Sequence, residues 1–341
     1  MIFFFFRSHA VALFILLVIL GVVVSLSGES MFTVWVGIEV SFLGVLFLIG
    51  GDSVEEIESS MKYFIVQVIS SHLLLLVTFG FVGGWWLMEG YYLMILSLFL
   101  KLGVFPFHFW VPSVVSQLSY SNLVLVSAVQ KVVPLWVFSN MDLGQGPLMF
   151  VEVMLILGAF VGAVGGLGVL HFRALLSYSS ISHTCFMVVL SLCSFVSSMI
   201  YLTVYFFLNL FLCFSLWKIK VYSFFDLAKI SSVSSESLSL AVSFYGLSLA
   251  GMPPFTGFFL KAYFLFTCWI SFPLVSVCFL AFSLVSLYYY FFMFVSFSVY
   301  SMFGGASTLF KNQERGWFFI VSVVVNILFG LALFLLVGFG M

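Results

Sequence analysis

Apolar residues run through this chain in stretches of about 20, the length that crosses a bilayer as a helix, punctuated by Gly, Pro and charge. Hydropathy predicts eleven spans, at about 10–27, 30–50, 60–83, 91–118, 121–139, 148–170, 173–193, 197–217, 238–268, 273–302 and 316–338. The polar segments, Gly51 to Ser60, Asn140 to Pro147, Lys218 to Ser237 and Gly304 to Gly316, are too short to hide a soluble domain. The pattern is that of an all-α polytopic membrane protein.

Composition agrees with that picture. Of 341 residues, 64% are hydrophobic and 7% charged, against about 25% charged in an ordinary soluble domain, so there are too few polar side chains to cover a soluble surface. A net charge of -1 without a basic run argues against nucleic-acid binding. The five cysteines, Cys185, Cys193, Cys213, Cys268 and Cys278, lie in apolar stretches with no C-x-x-C, and read as small hydrophobes rather than a disulfide framework or metal site. The segment Met1 to Leu26 lacks a small-residue cleavage pattern and is expected to stay as the first span. Pro, Thr, Asn and Gln together number 24, half the 47 Phe. Their codons are rich in A or C, which points to the T- and G-rich coding strand often found in organelle genomes.

The basic residues test the span count. With the N-terminus on side one, eleven spans put Arg7, Lys62, Arg173, Lys218, Lys220, Lys229, Lys311 and Arg315 on or near that side, and none on the other. A missed or invented span in the middle would break this split, so side one is expected to be the cytoplasm or mitochondrial matrix.

Subtracting the loops leaves Glu39, Lys101, Lys131 and Lys261 inside spans, where each charge costs at least about 2.5 kcal/mol on insertion scales. Lys101 and Lys261 sit beside helix breaks, where a lysine can snorkel to the surface; Lys131, between Val124 to Val129 and Val132 to Phe138, is mid-span. The other reading is that these four line an internal hydrated path, with Glu39 pairing a lysine and the ammonium groups loading and releasing protons.

Two spans carry prolines where a helix should continue: Gly103-Val104-Phe105-Pro106-Phe107-His108-Phe109-Trp110 and Gly251-Met252-Pro253-Pro254-Phe255-Thr256-Gly257-Phe258. Proline removes a backbone donor and blocks the preceding turn, and broken backbone at membrane depth persists only when it is buried in protein or lines a cavity. The breaks fall in spans four and nine, five apart. This spacing predicts two inverted five-helix repeats, 1–139 and 148–302, each with one discontinuous helix, followed by an extra C-terminal helix at 316–338. His108, just after the first break, and His183, in Tyr178-Ser179-Ser180-Ile181-Ser182-His183, are candidate proton relays. His72 is expected to satisfy a local hydrogen bond, while His9 and His171 sit at span ends. Gly158, Gly162 and Gly166 predict a close helix-packing face in span six.

Six blocks in order carry a family resemblance: Phe32-Thr33-Val34-Trp35-Val36-Gly37-Ile38-Glu39, Lys62-Tyr63-Phe64-Ile65-Val66-Gln67, Lys101-Leu102-Gly103 through Pro106-Phe107-His108-Phe109-Trp110-Val111-Pro112, Gln130-Lys131-Val132-Val133-Pro134, Tyr178 to His183, and Pro253 to Lys261. Through them the chain resembles the subunit 2 family of mitochondrial NADH:ubiquinone oxidoreductase, respiratory complex I, which is related to Mrp-type cation/proton antiporters. The resemblance implies an antiporter-like proton-translocating subunit of the inner membrane; with that setting the basic residues put the N-terminus on the matrix side. It implies neighbouring antiporter-like and small membrane-arm subunits and lipid as partners. FMN, iron-sulfur clusters and ubiquinone would be held by partner subunits, with no cofactor or metal in this chain. By the same resemblance Glu39 and Lys101 form the charge pair of a first half-channel, Lys131 is a central relay, and Lys261 belongs to a second half-channel. From the unwound backbone expected at the second break, ordered water is expected to link Lys131 toward Lys261, with His183 between them. Ala174 and Ser113 depart from the family pattern near the surface, where lysine and glutamate are common. The competing function is a free-standing cation/proton antiporter, which would work alone; a purely structural scaffold would need no buried ionisable residues.

Overall fold

A computed structural model describes residues 2–51, 53–83, 89–229, 236–304 and 323–330. Among them the chain is helical, apart from turns and one isolated bridge pairing His171 with Ser223. Seven helical stretches there are long and apolar enough to cross a membrane: Met31–Ile49, Val54–Gly80, Tyr120–Ser139, Gln145–Gly165, Phe172–Cys193, Phe195–Ile219 and Pro273–Val299. Shorter apolar helices include Gly90–Leu102, Leu238–Ala250 and Thr256–Cys268, and these are pieces of the two predicted spans that carry prolines. The chain is a multi-pass membrane protein. It folds as two compact units, Met1–Gly158 and Ala159–Met341.

The first unit contains α1 (Ile2–Ser27), α2 (Met31–Ile49), α3 (Val54–Val82), α4 (Glu89–Leu102), α5 (Trp110–Val115), α6 (Tyr120–Ser127) and α7 (Val132–Ser139), and the start of α8 (Gln145–Gly165). Lipid supplies no hydrophobic force between helices, so close backbone approach must do the work. In the α1/α2 pair glycine provides it: a Cβ on Gly21 would lie 2.7 Å from the Gly37 carbonyl oxygen, and one on Gly44 would lie 2.8 Å from Val18. Ser30 starts α2 by accepting the Thr33 amide on its hydroxyl, satisfying a donor that the first turn leaves orphaned.

Two elements here differ from the hydropathy reading. The predicted polar segment Gly51 to Ser60 is helical from Val54, because Ser53 accepts the Glu56 amide at 3.2 Å and Glu55 and Glu56 fall in the first turn, where the helix dipole favours negative charge. Hydropathy is blind to such capping. Predicted span five is not one continuous helix: α6 ends at Ser127, and Val129–Lys131 form a 3-10 turn before α7. Pro134, in the first turn of α7, has no N–H for the carbonyl four residues back, and Ala128 leaves helical geometry at φ -127°.

The second unit holds the end of α8, then α9 (Phe172–Cys193), α10 (Phe195–Ile219), α11 (Glu236–Ala250), α12 (Thr256–Cys268), α13 (Pro273–Gly304) and a helical segment, α14, at 323–330. Its centre is α9, whose most apolar window is 89% buried against 33% for α13. Gly162 lets α8 close on α9, since a Cβ there would sit 2.8 Å from the Ser182 nitrogen. Gly166 lies past the end of α8 and faces Tyr289 instead. Lys311, Arg315 and much of the predicted span 316–338 lie outside the described residues.

Candidate functional site

The two proline-bearing breaks share one local build. α4 ends at Leu102 and Gly103 turns left-handed at φ +69°; α11 ends at Ala250 and Gly251 does the same at +78°. In each break the residue after that glycine donates its amide five residues back, Val104 to Phe99 and Met252 to Leu247. Three residues later an amide returns to the same residue's carbonyl, Phe107 to Val104 and Phe255 to Met252. A left-handed residue closing a helix in this way is steric ground for glycine. The helix resumes at Trp110 in the first break and at Thr256 in the second.

Each break is crossed by a donor from its second half. Trp110 donates its indole N–H to the Leu100 carbonyl at 3.0 Å. Lys261 donates from Nζ to the Ala250 carbonyl at 2.5 Å. The last carbonyls of a helix have no partner along the helix and carry its negative dipole end, so the cation at the end of α11 is the chain's own lysine. Gly251 makes room for it, since a Cβ there would lie 2.8 Å from Lys261 Nζ.

In the first unit Lys101 occupies the last turn of α4 and is 7% exposed. Glu39 on α2 acts on it electrostatically, and Lys101 Nζ and Glu39 Oε1 each lack a hydrogen-bond partner. Lys101 lines a small cavity with Ser41, Gln67, Gln130 and Pro134. The space open to a water centre is about 10 Å³, close to what one water requires. Lys131, 6% exposed, ends the 3-10 turn, which packs on α4; its neighbour Gln130 donates to the Ser41 carbonyl at 3.3 Å. His108 lies in the break itself, buried, its ring 4.0 Å from that of Phe109 and its Nδ1 unpartnered.

In the second unit Lys261 and His183 line one cavity, with Ser182, Ser283, Ser286 and Phe186 among its walls; again about 10 Å³ is open to a water centre. His183 Nδ1 meets the Tyr201 hydroxyl at 2.8 Å, and the Tyr205 ring lies 4.9 Å away. Asn326 of α14 accepts both the Thr256 amide (3.3 Å) and the Thr256 hydroxyl (2.8 Å), capping α12 from outside.

Sequence reading places its site residues by charge, and so passes over Gln67, Gln130, Tyr201, Ser283, Ser286 and Asn326. Gln67, Gln130, Ser283 and Ser286 line the two cavities, Tyr201 bonds His183 and Asn326 caps α12, yet neutral side chains do not stand out in an apolar span. The cysteines read in the sequence as small hydrophobes; the structure brings Cys193 and Cys268 together, Sγ to Sγ 3.6 Å. Of the other histidines, His72 hydrogen-bonds the Val68 carbonyl at 2.7 Å, and His171 sits at the start of α9 beside Ser223.

Comparison with known proteins gives the lineage. The transmembrane family described as NADH:quinone oxidoreductase/Mrp antiporter matches residues 28–84 and 76–287. NADH-ubiquinone oxidoreductase chain 2 of Strongylocentrotus purpuratus is 34% identical over 256 residues, 72% of this chain and 71% of that one. The protein of the same name from Mytilus edulis is 36% identical over 71% and 73% of the two chains. Among solved structures, respiratory complex I from Thermus thermophilus matches with a TM-score of 0.73 at 19% identity, covering 95% of this chain and 79% of that one. The Mrp complex from Dietzia sp. matches with a TM-score of 0.69 at 15% identity, over 95% and 75%. With most of its length matched by the family and relatives above 30% identity, the chain belongs to the NADH:quinone oxidoreductase/Mrp antiporter transmembrane family.

Proposed function

We propose that this chain is the antiporter-like, proton-translocating chain 2 type subunit of a respiratory NADH:ubiquinone oxidoreductase, set in the mitochondrial inner membrane with its N-terminus toward the matrix. The reading includes eleven crossings and two inverted repeats, 1–139 and 148–302; the matching backbone hydrogen bonds of the two breaks support a repeat. The observation that carries the reading is that each unit sets a lysine into the wall of a cavity the size of one water, lined by both polar and apolar side chains: Lys101 beside Ser41, Gln67 and Gln130 in one, Lys261 beside His183, Ser283 and Ser286 in the other. A cation placed at such cost within an apolar fold is a functional feature by default. In the first unit Glu39, Lys101 and Lys131 are the proton-carrying groups, with His108 in the break. In the second, Lys261 exchanges its proton with water between it and the serines, and His183 with Tyr201 continues the polar wall. The extramembrane turns are short, so FMN, iron-sulfur clusters and ubiquinone belong to partner subunits, and electron transfer there drives the lysines here.

The test is purification through a tag on this chain. We expect it to bring down an NADH-oxidising, quinone-reducing assembly, and reconstituted vesicles of that assembly to acidify on NADH addition, with the acidification lost in Lys261→Met. A chain that purifies alone and exchanges sodium or potassium for protons in liposomes would instead make it a free-standing antiporter.

A further inference from the structure

Cys193 is the last residue of α9 and Cys268 the last of α12. They are 75 positions apart in the chain, yet their sulfurs lie 3.6 Å from each other. Ser271 Oγ is 3.4 Å from Cys193 Sγ and Thr267 Oγ1 is 3.6 Å from Cys268 Sγ, so hydroxyls flank both thiols. Cys193 is partly exposed while Cys268 is buried, and the neighbouring turn is open, with Ile270 92% exposed. A disulfide needs sulfurs at about 2.05 Å, so a further approach of roughly 1.5 Å joins them.

We propose that Cys193 and Cys268 are a reversible dithiol–disulfide site that ties the end of α9 to the end of α12. The oxidant is a small-molecule disulfide of the glutathione type. The Cys193 thiol loses its proton and its sulfur attacks one sulfur of that disulfide, breaking its S–S bond and releasing one small thiol. The Cys268 sulfur then loses its proton and attacks Cys193 Sγ, displacing the second small thiol. Two electrons leave the cysteine pair to reduce the small disulfide, and the two protons end on the released thiols. The order follows from access, because the partly exposed Cys193 can be reached first.

The pair stands over the second cavity. Lys261 lies seven residues before Cys268 on α12, two turns back on the same face, and His183 lies ten residues before Cys193 on α9, about 15 Å along the axis. Between the thiols and the cavity Phe186 of α9 meets Phe264 of α12 edge-on at 4.8 Å, and both pack on Phe279. Linking the helix ends therefore fixes the spacing of the two helices that carry Lys261 and His183. That consequence rests on the function proposed above; formation of the bond does not.

The experiment uses native membranes containing the whole assembly. Membranes are equilibrated with glutathione disulfide or with dithiothreitol, then denatured in an alkylating reagent and digested. We expect a Cys193–Cys268 linked peptide, lighter by two hydrogen atoms than its two parts, after oxidation, and alkylated Cys193 and Cys268 after reduction. Both cysteines alkylated after oxidation, or a stable glutathione adduct on Cys193 with Cys268 still alkylated, would overturn the site. Because this needs no variant, misfolding cannot obscure it. In parallel, NADH-driven acidification should fall at least twofold on oxidation, recover on reduction, and be insensitive to both in Cys193→Ser. A linked peptide with unchanged acidification would overturn the clamp while leaving the disulfide and the proposed function standing.

Discussion

Lys131 is a cation held inside the apolar first unit. It is 6% exposed and sits at the junction of a 3-10 turn and α7. Met is apolar and of similar length, so Lys131→Met should leave assembly and packing intact. If the lysine relays protons, NADH-driven acidification should fall on the order of 10²-fold, the scale of a lost acid–base group, while the amount of assembled complex on a native gel is unchanged. Glu39→Gln is subtler. Removing one member of a hydrogen-bonded buried pair costs about 3–5 kcal/mol, but Lys101 Nζ and Glu39 Oε1 have no hydrogen-bond partner here, so the thermal stability of the assembly should drop by less than that. Acidification should fall with it, because the negative charge facing Lys101 is gone; a variant pumping at the normal rate would remove Glu39 from the site. Charge made these residues legible in the sequence, since four ionisable groups in apolar spans call for a reason. It could not reveal that Tyr201 would meet His183, or that two cysteines 75 positions apart would touch.

At the scale of elements the proline-bearing breaks were readable, because a missing donor is a property of the residue alone. The third interruption, at Val129–Lys131, was not: a single proline in a first turn is tolerated, and the departure shows only in the backbone at Ala128. What holds the second break together is equally invisible to hydropathy. A Cβ on Gly257 would collide with the Ser248 carbonyl oxygen, so α11 and α12 come together over a bare backbone. Gly257→Ala should force them apart and lower stability by about 1–3 kcal/mol, the range for overpacking. Gly144→Ala, where a Cβ meets nothing within 4 Å, is the control and should change the melting temperature little. Asn326 is a second fastening from a tail that hydropathy reads as one more span. Asn326→Leu removes the acceptor of the Thr256 amide and hydroxyl and should cost about 1 kcal/mol, as lost helix caps do. A melting temperature equal to the parent's in that variant would show that α14 does not cap α12.

On the scale of the whole molecule, composition made the membrane class legible and the basic residues suggested sidedness, but hydropathy alone cannot say which helix ends lie together. The second unit supplies that for its own helices. The bridge between His171 and Ser223 places the start of α9 beside the end of α10, and Arg173 stacks over Tyr222 at 4.9 Å. Lys218 and Lys220 fall at the same end. The other end of α9 meets the end of α12 through Cys193 and Cys268, with no Lys or Arg in the turn that follows. The 22 residues of α9 are about 33 Å long, enough to separate the two ends by the hydrocarbon thickness. Positive charge is retained on the side of synthesis, so the His171 end should face the matrix and the cysteine end the intermembrane space. Phe225, 71% exposed, marks the first end and Ile270, 92% exposed, the second. In mitoplasts a membrane-impermeant maleimide should modify Ile270→Cys beyond the parent's background and spare Phe225→Cys, and in inside-out particles the pattern should reverse. Labelling of both from one side would mean that α9 does not cross the membrane, and the inverted pattern would turn the whole eleven-span topology over.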